Sequence, residues 1–179
     1  MKIFETRNDM ILEFPKKCVF AELGVFEGNF SDVIIDSINP SELFLVDIWN
    51  GSMTSGDKDG KDIKLIRNMY DVYQGLMEKH KNNNFVKIIR SNTHEFLSNM
   101  QDEYFDVIYV DASHSYRDVL IDMELSYQKI KNGGIISGHD YIPNYDVTHA
   151  VNDFCKKYNQ EVIGITSDGC PSFMIKVQK

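Results

Sequence analysis

The sequence predicts an α/β protein, a three-layer sandwich with a seven-stranded, mostly parallel sheet that closes on a C-terminal antiparallel hairpin. Three observations predict it. From residue 18 onward, short apolar runs alternate with segments of helical period. That alternation is the signature of βαβ units, with helices on both faces of a parallel sheet. Several of the apolar runs end in an acidic residue followed by a turn, so charged groups collect at one edge of the sheet. The last two runs, residues 161–166 and 172–177, are joined only by Ser167-Asp168-Gly169-Cys170-Pro171. A turn-rich link with no helix makes its two strands antiparallel neighbours.

Taken in order, residues 1–17 form a lead-in, a short helix or an arm, closed by Pro15. The remaining residues, 18–179, make one domain, a size that buries about 70% of the unfolded surface. Strands are predicted over 18–22, 43–47, 85–89, 105–110, 134–138, 161–166 and 172–177. Helical patterns occupy 29–38, 61–80, 94–101, 116–131 and 146–158. In 116–131, Val119, Leu120, Met123, Leu125, Tyr127 and Ile130 recur as a core-facing stripe. Asn132-Gly133-Gly134 reads as a turn before the next strand. Residues 50–62 are polar and glycine-rich and follow a strand end, a position for either a lid or a surface insertion. Asp57, Asp59 and Asp62 lack the spacing and the closing glutamate of a calcium loop.

The most informative stretch runs from Val19 to Phe30. An apolar strand ends in Glu22, and Gly24 and Gly28 follow with three residues between them. Glycine lets a ligand lie against bare backbone. About twenty residues on, Leu43-Phe44-Leu45-Val46 ends in Asp47, well placed for both ribose hydroxyls of a nucleoside. A dinucleotide fingerprint would aim a helix N-terminus at a pyrophosphate. Glu22 repels a pyrophosphate but favours a cation, such as the amine of an amino-acid tail. On these residues the chain resembles a class I S-adenosylmethionine-dependent methyltransferase from about Cys18 to its end, which implies a Rossmann-like fold and S-adenosyl-L-methionine as cofactor. The resemblance further implies that Ser91 and Asn92, at the end of the third strand, meet the adenine. Trp49, just past Asp47, is placed either to cover the adenine face or to pack in the core.

A second constellation is Asp111-Ala112-Ser113-His114-Ser115-Tyr116, followed by Gly133-Gly134 and then by His139-Asp140-Tyr141. Asp111 ends a central buried strand, where an unpaired charge is costly, so a ligand amine, a metal or a basic side chain is expected beside it. Adjacent strand ends gather Asp111, His114, His139 and Asp140 around one pocket. This pattern resembles sugar and natural-product O-methyltransferases, several of them magnesium-dependent. The resemblance implies metal ligands at Asp111 and at the pair His139-Asp140, with magnesium or manganese as the ion. His139 departs from the all-oxygen pattern, because imidazole suits manganese, iron or zinc better than magnesium. Either histidine is also a candidate general base near neutral pH. Asp140 beside His139 is expected to raise its pKa, which favours His139 as base or metal ligand and His114 as acceptor contact. His80, His94 and His149 lack such neighbours and read as surface residues.

Composition narrows the partners. A formal net charge of −8 argues against a nucleic-acid or anionic-membrane surface. Cys18, Cys155 and Cys170 are odd in number and far apart, which argues against a disulfide framework or a structural zinc site. No run reaches the roughly 18 apolar residues of a membrane span, and residues 1–7 carry no signal-peptide apolar region, so a cytoplasmic enzyme is expected. The expected reaction is methylation of a small-molecule or saccharide hydroxyl, with either a small or flexible acceptor or a pocket completed by the second subunit of a homo-oligomer. Two rivals stand beside it: a metal-dependent hydroxylase-like enzyme on the same scaffold, and a non-catalytic S-adenosylmethionine-binding protein.

Overall fold

The computed structural model describes residues 1–55 and 64–179. In chain order the elements are β1 (Lys2–Phe4), α1 (Arg7–Met10), β2 (Val19–Leu23), α2 (Asn29–Ile38), β3 (Glu42–Asp47), β4 (Ser52–Ser55), β5 (Lys64–Asn68), α3 (Met69–His80), β6 (Val86–Arg90), α4 (Thr93–Asn99), β7 (Phe105–Val110), α5 (Tyr116–Lys129), β8 (Ile130–Gly138), α6 (Asp146–Tyr158), β9 (Val162–Thr166) and β10 (Phe173–Lys176). Eight strands form the main sheet in the order β1-β9-β10-β8-β7-β2-β3-β6. Only β10 runs antiparallel, against both β8 and β9. The mostly parallel sandwich with its terminal antiparallel pair is therefore present, with one strand more than the sequence suggests.

The two-residue period of the strands builds both helix layers. In β2, Ala21 and Leu23 join Phe96, Val119 and Phe154 on one face. Phe20 joins Met10, Ile34 and Leu76 on the other. Side chains alternate along a strand, so Glu22 points with Phe20 towards α2. It is 2% exposed, and it accepts a hydrogen bond of 2.5 Å from the Ser31 hydroxyl on α2. The same alternation in β7 sends Val110 to the first layer and Tyr109 to the second.

Three boundaries differ from the sequence expectation. Residues 2–4 of the lead-in pair in parallel with β9, Lys2 opposite Gly164, while Met10, Ile11 and Phe14 are buried in the second layer. Three strand residues are too few to show a period. The helix expected over 61–80 starts at Met69, where the Asn68 side chain accepts from the Tyr70 N–H at 2.9 Å. Residues 64–68 instead pair with β4 as an antiparallel ribbon. Within the loop expected over 50–62, residues 52–55 are therefore strand, and 56–63 lie outside the described residues. The helix expected over 116–131 ends at Lys129, and Asn132-Gly133-Gly134 sits inside β8. Pairing there jumps from Phe105–Ile130 to Val107–Ile135, so the glycines form a bulge rather than a turn before the strand. No helix among the described residues is long and apolar enough to cross a membrane.

Candidate active site

The carboxyl ends of β2, β3, β6 and β7 open on one cleft of about 590 Å³, lined by Glu22, Gly24, Asp47, Ser91, Asn92, Asp111 and His114 among others. This is the edge at which open parallel sheets bind ligands. Gly24 has φ +89°, and a Cβ built there would lie 2.0 Å from the Asp111 carbonyl oxygen. The glycine is thus required by the crossing of the β7–α5 connection over the β2 turn. Gly28 does not line the cleft. It caps α2 at φ +78°, and a Cβ there would meet the Leu76 side chain at 2.7 Å.

Asp47 stands on the cleft wall with much of its capacity already used. One carboxylate oxygen accepts from the N–H groups of Val25 and Phe26, each at 2.9 Å, and the other from the Trp49 N–H at 2.9 Å. A carboxylate has about four lone-pair sites, so one is left for a ribose hydroxyl rather than a pair. Asp47 also shapes the glycine turn by accepting those two N–H groups. Trp49 does not line the cleft. Its indole is 1% exposed, donates to the Phe26 carbonyl at 2.9 Å and packs at 5.3 Å from the Tyr73 ring. The cleft takes Ile48 instead, 55% exposed. A φ of +37° at Trp49 turns the chain so that the larger side chain goes inward.

Ser91 and Asn92 lie on the cleft as expected. The Asn92 oxygen caps α4 by accepting from the His94 N–H at 2.9 Å, which leaves its amide N–H groups for a ligand. His94 lines the cleft as well, contrary to its reading as a surface residue. Its Nε2 lies 3.5 Å from Asp122, which is 1% exposed on α5. His80 is likewise buried rather than on the surface, at 9% exposure.

At the other end of the cleft, Asp111, His114, His139 and Asp140 come together as the strand order predicts. The His114 Nε2 lies 3.0 Å from Asp140 Oδ2, and the His139 Nδ1 lies 3.3 Å from Asp140 Oδ1 and 3.9 Å from Asp111 Oδ1. His114 lines the cleft; His139 and Asp140 do not. Burial pushes Asp111 up to about 7, opposed by Arg7 and reinforced by Asp140. Burial likewise pushes Glu22 up to about 8, against the Ser31 hydrogen bond. For His139 the sign is opposite to the sequence expectation. Burial pushes its pKa down, and the raising effect of Asp140 does not offset this. One donor atom each of Asp111, His139 and Asp140 lies within 4.8 Å of the others, close enough to hold a metal ion.

Sequence reasoning missed several cleft residues. Arg7, on α1, places its guanidinium 3.5 Å from Asp111 and 4.4 Å over the Phe30 ring. Glu27 pairs with Arg67, and Asp118 accepts from the Ser113 and Ser115 hydroxyls at 2.9 Å each. Arg7 and Arg67 carried no local signal, because their roles depend on the packing of β1 and β5. Asp118 had one: Ser115-x-x-Asp118 has the spacing of a helix cap.

A family model described as a methyltransferase domain matches residues 21–141. Among solved structures, the B. subtilis M1A22 tRNA methyltransferase TrmK superposes with a TM-score of 0.66 at 11% identity, covering 98% of this chain and 67% of that one. SMU.1697c of Streptococcus mutans, a candidate methyltransferase solved with SAH, gives 0.66 at 11% identity over 95% and 94%. The N-methyltransferase NodS of Bradyrhizobium japonicum WM9 gives 0.64 at 11% identity over 97% and 95%. No curated protein sequence matches the chain.

Proposed function

The chain belongs to the methyltransferase-domain family, and on that premise we propose that it transfers the methyl group of S-adenosylmethionine to a hydroxyl oxygen of a small molecule or saccharide. The observation that carries this reading is the single cleft in which Glu22, Gly24, Asp47, Ser91 and Asn92 face one another, with His114 at its end. These residues fit the methyl donor. The glycine turn leaves backbone open, Asp47 keeps a lone pair for a ribose hydroxyl, and Ser91 and Asn92 offer polar groups to a base. Glu22 is a buried carboxyl whose ionisation a ligand ammonium would favour.

When bound, S-adenosylmethionine supplies an electrophilic sulfonium methyl. The chain must hold the acceptor oxygen in line with it and take up the hydroxyl proton. His114 is placed to do the latter. Its Nε2 stands 3.0 Å from Asp140 Oδ2, a pairing that would orient the ring and leave Nδ1 to accept a proton. Glu22, Glu27, Asp47, Asp111 and Asp118 all line the cleft. A cleft with Arg7 as its one lysine or arginine among the described residues offers a phosphate backbone little attraction and supports a neutral acceptor over a polynucleotide. The similar tRNA methyltransferase structure, at 11% identity, shares the fold alone.

A divalent ion on Asp111, His139 and Asp140 is a second reading, favoured by their close donor atoms. One imidazole and two carboxylates suit manganese better than magnesium. The ion would lower the pKa of an acceptor hydroxyl and orient it.

Calorimetry with S-adenosylhomocysteine, followed by transfer of labelled methyl from S-adenosylmethionine to a panel of polyols, sugars and phenols, tests the proposal. Binding and label on oxygen are expected. Absence of binding overturns the methyl donor, and label appearing only on nitrogen or RNA overturns the acceptor class. Loss of transfer in excess chelator, with nucleoside binding intact, would support the ion.

A further inference from the structure

The family match begins at residue 21, yet a residue from the segment before it reaches into the cleft. Arg7 opens α1, whose first turn is fixed by a reciprocal Thr6–Asp9 capping box. Met10, Ile11 and Phe14 anchor the segment in the core at 1%, 1% and 3% exposure. The guanidinium is held over the Phe30 ring, at 4.4 Å from its centre. It is therefore a placed group rather than a surface arm.

Arg7 is the one lysine or arginine among the described residues lining the cleft, against five carboxylates. Three of those carboxylates are committed. Asp47 accepts backbone N–H groups, Asp118 accepts serine hydroxyls, and Glu27 pairs with Arg67. Glu22 and Asp111 remain. Glu22 has the Ser31 hydroxyl as its hydrogen-bond donor. Asp111 has Arg7 at 3.5 Å, longer than the roughly 2.7–2.9 Å of a strong charge-assisted bond. Arg7 thus keeps donors to spare, since a guanidinium carries five N–H groups. Two acceptors of a cation and one donor to an anion, side by side at one end of a nucleoside cleft, match the charges of a zwitterionic amino acid.

We propose that Arg7 receives the α-carboxylate of the cofactor's methionine tail, while Glu22 and Asp111 receive its ammonium. The proposal rests on the S-adenosylmethionine reading and adds a specificity residue from outside the family-matched region. Arg7 then selects for an intact amino-acid tail, and the carboxylate-rich cleft accepts the anion because this cation is positioned for it.

Calorimetry with two ligands tests it: S-adenosylhomocysteine, and its decarboxylated analogue, which keeps the amine and lacks the carboxylate. The wild-type protein is expected to prefer S-adenosylhomocysteine by roughly 10- to 100-fold, the range for a hydrogen bond to a charged group. Arg7→Met should lose that preference, with the analogue bound about as before, and Arg7→Lys should keep part of it. A thermal melt confirms that each variant is folded. If Arg7→Met weakens both ligands by the same factor, or leaves the preference intact, Arg7 is only a structural partner of Asp111 and the proposal is overturned. A wild-type protein that binds neither ligand overturns the S-adenosylmethionine reading itself, and the clamp with it.

Discussion

In the proposed reaction, proton removal would turn on one carboxylate, Asp140, that faces two histidines. Its two oxygens lie 3.0 Å from His114 and 3.3 Å from His139. Exposure separates their roles. The His114 side chain is 52% exposed and lines the cleft, whereas that of His139 is 20% exposed and does not line it. A base must reach the acceptor, so within the proposed reaction His114 is better placed than His139, the residue that sequence adjacency favours. His114→Ala is expected to lower kcat by about 10²- to 10⁴-fold, the usual contribution of a positioned base, with S-adenosylhomocysteine affinity little changed. His139→Ala should cost less. Single-turnover methyl transfer by both variants measures the contrast, and a larger loss in His139→Ala would reassign the base.

Elements explain which parts of the site were legible in the sequence. The ends of β2, β3 and β7 were readable because an acidic residue closing an apolar run is costly unless something meets it. Glu22, Asp47 and Asp111 all reach the cleft. Contributions fixed by tertiary packing were not readable. β1 is three residues long, β5 precedes α3 with no break in polarity, and Arg7 approaches Asp111 across 104 positions. Trp49 was ambiguous because φ +37° decides which way the chain turns after β3, and no local residue type dictates that angle. The glycine turn was legible as a turn, but its reason was not. Gly24 makes room for the Asp111 backbone, so Gly24→Ala acts through packing between two loops. The cost is ~1–2 kcal/mol for a left-handed alanine and ~1–3 kcal/mol for overpacking. Urea unfolding measures it. A variant as stable as wild type would show that the β7–α5 connection yields freely.

Across the whole molecule, burial at the sheet edge couples stability to pH. Burial raises Glu22 from 4.5 to about 8, Asp111 from 3.8 to about 7 and Asp122 from 3.8 to about 6. Between its ordinary value and its raised one, each group has released its proton in the unfolded chain and still holds it in the native protein. The unfolded state binds fewer protons there, so stability falls as pH rises through those ranges. Glu42, Asp102 and Asp118 are shifted down, and they act in the opposite sense only below their ordinary values of 4.5 and 3.8. Burial also pushes His80 and His139 down, and they oppose the decline only below their ordinary value of 6.5. Urea midpoints of the apo protein are therefore expected to decline from about pH 6.5 to pH 8. Glu22→Gln cannot ionise and should decline less, overtaking wild type at the alkaline end. Saturating S-adenosylhomocysteine stabilises the native state by mass action, and its ammonium beside Glu22 would hold that carboxylate ionised. The wild-type midpoint should then vary less with pH between 7 and 8 than it does without ligand. A ligand-bound slope as steep as the apo slope, with Glu22→Gln still flat, would mean that the tail amine does not meet Glu22.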